Sequence, residues 1–62
     1  MSDGYVVESI GPFDIGERYY WRHLGKNKYT VWEGAVGVFD CNQLREARTW
    51  CKRECKKRGI KL

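Results

Sequence analysis

The chain has 62 residues, a formal net charge of +4, 32% charged residues and 15% aromatics. That length allows one domain with a small core, burying about 60% of its unfolded surface, and excludes a substrate cavity enclosed between two domains. Met1 to Gly4 lacks a basic segment followed by an apolar run, so neither an export leader nor a membrane span is expected, and a cytoplasmic protein with reduced thiols follows.

The charge is unevenly placed. Residues 1–40 carry four cations against six anions, whereas residues 41–62 carry eight against two. The positive field therefore belongs to the C-terminal third. Nine aromatics (two Phe, four Tyr, three Trp) are more than so small a core easily hides. Some aromatic surface is expected to be exposed or to meet a partner.

In chain order, residues 5–10 read as a short strand of β-branched and aromatic residues that ends at Gly11 and Pro12. Residues 11–16 read as a loop, with Phe13 and Ile15 tucked over a core edge. Residues 17–24 read as a second strand, with Tyr19, Trp21 and His23 on one face and Arg18, Tyr20, Arg22 and Leu24 on the other. Residues 25–28 are a polar turn and residues 29–33 a third strand, closing a hairpin over residues 17–33. Gly34 to Phe39 can continue that strand past a glycine bulge or form a fourth; continuation is the reading taken.

A helix is expected over residues 41–58, with Asp40 and Gln43 as a capping box and Phe39 and Leu44 as a hydrophobic staple. Gly59 stands where a left-handed terminal residue is wanted, and Ile60 can return to Cys55 in a Schellman ending. Leu44, Ala47, Cys51 and Cys55 form its apolar stripe. The expected architecture is one α+β domain over residues 1–62: a three-stranded antiparallel sheet over about residues 5–39 with this helix across one face. The β-β-β-α order and the basic helix resemble the small DNA-binding modules at the N-termini of phage-type integrases, and more distantly double-stranded-RNA-binding domains.

Two features point to a binding role. Arg45, Arg48, Lys52 and Lys56 fall within an arc of about 80° beside the apolar stripe, although like charges at these spacings oppose helix formation. The bland alternative is that the basic residues complement the helix dipole and maintain solubility. Arg18, Tyr20, Trp21 and Arg22, with Lys26 and Lys28 in the following turn, combine rings for stacking with cations for phosphates. The expected function is a non-enzymatic nucleic-acid-binding module, with DNA as the favoured target. The alternative is a small interaction or inhibitor protein, of the kind mobile elements encode, docking on an acidic host surface through exposed aromatics near Tyr20 and Trp32. A homodimer through a sheet face or edge fits either reading.

No cofactor or metal is expected. Cys41, Cys51 and Cys55 lie on or near the stripe the core needs, without the tight knuckle spacing of structural zinc sites. His23 is the only histidine, and no motif sets a nucleophile beside it, so catalysis is not expected. Glu17 and Glu33 can face each other across the ends of the expected hairpin.

Overall fold

A computed structural model describes residues 4–62 of the chain. The described residues form a four-stranded antiparallel meander, β1 (Gly4–Ile10), β2 (Phe13–Arg18), β3 (Tyr29–Glu33) and β4 (Val36–Cys41), followed by one helix, α1 (Leu44–Lys57). The α+β class and the helix packed on one sheet face are as the sequence implies; the strand count is not.

Two tight turns account for the fourth strand. Ile10 pairs with Phe13, which leaves only Gly11 and Pro12 to reverse the chain. Gly11 has φ +58°, and the proline ring fixes the next φ near about −65°, the combination a type II′ hairpin turn requires. Gly34, with φ +63°, repeats the device with Ala35, between Glu33 and its partner Val36. Residues 11–16 are therefore a turn and most of a central strand, not a loop. Residues 34–39 reverse into β4 and do not continue β3.

The expected second strand is corrected as well. β2 ends at Arg18, and residues 19–25 wind into turns, with the Leu24 N–H donating to Tyr20 O at 3.0 Å and the Lys26 N–H to Trp21 O at 2.9 Å. The hairpin joining β2 to β3 thus has a long coiled connection instead of a short polar turn. Its base is closed by the Arg18 N–H donating to Lys28 O at 2.9 Å. Glu17 pairs with Tyr29 and Glu33 with Phe13, so the two carboxylates sit at opposite ends of the β2–β3 ladder and do not meet.

The core lies between one sheet face and α1. Phe13, Ile15 and Val31 are fully buried, as are Ala47, Cys51 and Cys55 of the helix, and Ile10, Tyr29 and Cys41 close the rim. Burying each large apolar side chain contributes at most about 1.5–3 kcal/mol. Beside the stripe, the Trp50 ring meets Phe13 edge-on at 5.2 Å and stacks on Phe39 at 5.3 Å with an interplanar angle of 11°.

The helix begins later than the cap pattern implies. Its N-cap is Gln43, whose carbonyl accepts from the Ala47 N–H at 3.3 Å, and among the described residues no side chain caps it. Asp40 stays in β4, where its carboxylate accepts from Arg18 at 3.2 Å, and Phe39 is taken by Trp50 instead of a staple with Leu44. The other end is as expected. Gly59 has φ +74°, its N–H donates to Lys56 O at 3.2 Å, and the Ile60 N–H donates to Cys55 O at 2.8 Å, the double bond of a Schellman motif.

Two glycines separate backbone strain from packing. Both Gly11 and Gly25 hold positive φ, but a Cβ on Gly25 meets nothing within 4 Å, whereas one on Gly11 stands 2.9 Å from the Cys55 sulfur. Gly25→Ala is expected to cost about 1–2 kcal/mol through its left-handed backbone alone. Gly11→Ala is expected to cost at least about 1 kcal/mol more through overpacking. Urea unfolding midpoints measure both, and equal losses would contradict the seating of this turn against Cys55.

Candidate functional site

The buried stripe of α1 dictates what its opposite side presents. Arg45, Glu46, Thr49, Lys52, Arg53, Lys56 and Lys57 are all exposed. At 3.6 residues per turn, the five cations among them share an arc of about 140° centred away from the sheet. Glu46 is the single anion within it. Among the described residues none of these five cations has a carboxylate within 4.0 Å. Arg45 reaches only the Gln43 side-chain oxygen, at 3.1 Å.

Three other arginines are occupied. Arg48 flanks the stripe on the β1 side and meets the Glu8 carboxylate at 2.8 Å. The Arg18 side chain is only 13% exposed, donating to Asn27 O at 2.8 Å and to Asp40 at 3.2 Å. Arg58 lies over the Phe13 ring at 5.1 Å and donates to Glu33 at 2.7 Å and Glu54 at 3.4 Å. That hydrogen bond holds the Glu33 carboxyl below its ordinary range and raises Arg58 in return. Solvent screening keeps such surface pairs weak, so their main effect is to assign the anions.

The candidate residues from the sequence therefore divide. Arg45, Lys52 and Lys56 stand together on the helix arc, and Arg53 and Lys57, missed by the sequence reading, belong with them. Arg48 and Arg18 are tied into the fold. Tyr20, Arg22 and Lys26 are exposed on the 19–28 connection, with Trp21 half-buried and Arg22 stacked over its ring at 4.9 Å. Lys28 lies 5.4 Å from the centroid of the Tyr29 ring. This connection rises from the end of the sheet where α1 begins: Tyr29 pairs with Cys41, and the Lys28 N–H donates to the Asn42 side chain at 3.1 Å. Loop and helix N-terminus thus share one end of the molecule, while Lys56 and Lys57 lie at the other.

The exposed aromatics do not form the single face that strand alternation implies. Tyr5, Tyr19 and Tyr20 cluster at the loop end, with centroids 5.5 Å apart for Tyr5 and Tyr19 and 6.4 Å for Tyr19 and Tyr20. The neighbouring Glu17 charge raises the Tyr5 phenol above its ordinary value. Trp32 lies elsewhere, near the β3–β4 turn on the sheet face away from the helix, in line with Gly37. Between α1 and β4 runs a groove of about 380 Å³ lined by Phe39, Arg45, Glu46, Thr49, Trp50 and Arg53.

The three cysteines are free and buried. Burial pushes Cys51 up to about 11, and it also raises Cys41, whose thiol donates to Gln43 O at 3.2 Å. Such thiols are packing groups, since the reactive form is the thiolate. His23 is exposed on the loop. Among the described residues no three His, Cys, Asp or Glu side chains are gathered so as to hold a metal ion, and no helix is long and apolar enough to cross a membrane. Comparison with protein-family models, with curated proteins and with solved structures finds no match.

Cysteine labelling tests this placement. Near pH 8 the Cys51 thiolate fraction is on the order of one in a thousand, against a substantial fraction for a free thiol. Iodoacetamide is expected to leave Cys51 unmodified in the folded chain and to label it fully in denaturant. Labelling of the folded chain at a free-thiol rate would contradict its burial beneath the sheet.

Proposed function

We propose that the chain is a non-enzymatic nucleic-acid-binding module, with DNA as the favoured target, that holds phosphates on the outer arc of α1. The observation that carries this reading is the unpaired arc itself. Arg18, Arg48 and Arg58 have taken carboxylate partners, yet Arg45, Lys52, Arg53, Lys56 and Lys57 remain exposed and without carboxylate partners among the described residues. Crowding like charges on one helix side opposes the helix by about 0.2–0.5 kcal/mol per close pair. A polyanion relieves that repulsion, and its release of condensed counterions drives association. Arg22 and Lys26 extend the positive surface at the helix N-terminal end, and Tyr20 supplies an exposed ring for stacking. A cytosolic setting suits the three reduced thiols.

A second reading is favoured by the tyrosine cluster. Tyr5, Tyr19 and Tyr20, with exposed Val6, Val7 and Leu24 nearby in sequence, have the composition of a protein-docking surface. In that case the basic arc steers the chain toward an acidic partner.

Salt dependence tests the first reading. Fluorescence anisotropy with a labelled DNA duplex is expected to show log affinity falling linearly with log salt, by roughly 0.9 per phosphate neutralised. Changing both Lys52→Gln and Lys56→Gln is expected to weaken binding and to reduce that slope by about two. An affinity that is flat in salt, or a double variant with the parent slope, would contradict phosphate binding on this arc.

A further inference from the structure

The groove between α1 and β4 is chemically unlike the rest of the basic surface. Its volume of about 380 Å³ falls in the range of small-ligand sites. Its floor is aromatic: Phe39 and Trp50 both line it, they stack on each other at 5.3 Å, and both residues are half-buried. Arg45 and Arg53 stand on its rim, two helical turns and roughly 12 Å apart along the axis, with Trp50 between them in the chain. Glu46 also lines it. The Thr49 hydroxyl is spent on Arg45 O at 2.9 Å.

We infer that this groove takes an unpaired base of single-stranded DNA, so that the chain prefers single strands to duplex. This deepens the nucleic-acid reading and rests on it. A base stacks on the aromatic floor, and the phosphates on either side of it meet Arg45 and Arg53. Glu46 repels a phosphate from the floor but accepts a hydrogen bond from the exocyclic amino group of a base. A paired base offers only its groove edges, so its ring faces cannot reach Trp50. The same carboxylate disfavours an acidic peptide in the groove. The Thr49 hydroxyl directs its hydrogen at Arg45 O, and Arg45 and Arg53 are assigned to phosphates, so no free side-chain donor is dedicated to a ribose 2′-hydroxyl and RNA is expected to gain little over DNA.

The test uses the whole chain with four labelled probes: a short oligo(dC) strand, its oligo(dC)·oligo(dG) duplex, the oligo(rC) strand and an oligo-glutamate peptide. Oligo(dC) is expected to bind about ten-fold tighter than the duplex and to shift the Trp50 indole N–H resonance. Thr49→Leu, an exposed change that fills the groove mouth, is expected to lose about ten-fold for oligo(dC) and to leave duplex affinity unchanged. Circular dichroism confirms that the variant folds. Duplex binding equal to or tighter than the single strand overturns this inference and leaves the phosphate-binding arc standing. Binding of none of the nucleic acids overturns both. A ten-fold preference for oligo(rC), or oligo-glutamate shifting the Trp50 indole, overturns the assignment to DNA.

Discussion

The contact of Ala47, Cys51 and Cys55 with Phe13, Ile15 and Val31 is the constraint on which the rest depends. All six side chains are fully buried. Three small groups on the helix let it lie close on three larger ones from the two central strands. With so short a chain there is no second layer to share the burial, so losing this contact loses the fold. It also accounts for the cysteines. They occupy positions that need a compact apolar group, and burial holds Cys51 in its thiol form.

Rotation of α1 about its axis is set by the same contact, and with it the electrostatic layout. Arg48 and Arg58 lie close enough to the stripe to reach Glu8 and Glu33 on the sheet. Farther around the helix, Arg45, Lys52, Arg53, Lys56 and Lys57 have no carboxylate within 4.0 Å among the described residues and are exposed to solvent. Trp50 falls between the two zones. It is near enough to the stripe to pack on Phe13 and Phe39, and far enough out to floor a groove bordered by two of the free arginines. One packing decision thus produces both the charged arc and the aromatic groove.

Local signals in the sequence were legible, and distant ones were not. The stripe of α1 and its Schellman ending depend on residues within a few positions of one another, and both stand in the structure. The strong strand propensity of Tyr19, Tyr20 and Trp21 points away from the true β2, while Phe13 and Ile15 sit beside Gly11, Pro12 and Gly16, which read as a loop. The buried Phe13 and Ile15 on either side of Asp14 are the better guide, since pattern reports burial where propensity does not. Asp40 matched a capping box, but Arg18, distant in sequence, claimed its carboxylate in β4. Arg53 and Lys57 were legible from helical spacing alone. The groove was not, because it needs Phe39 of β4 brought against Trp50.

On the proposed function, the side of α1 that folds the chain and the side that would hold nucleic acid are separable. The most direct measurement pairs thermal unfolding with nucleic-acid binding in one variant whose Arg45, Lys52, Arg53, Lys56 and Lys57 are all replaced by Gln. Relief of like-charge repulsion is expected to leave Tm unchanged or raised, while binding to both single strand and duplex is lost. A fall in Tm of several degrees with binding retained would contradict this division of α1, placing the cations in the fold and any binding surface elsewhere.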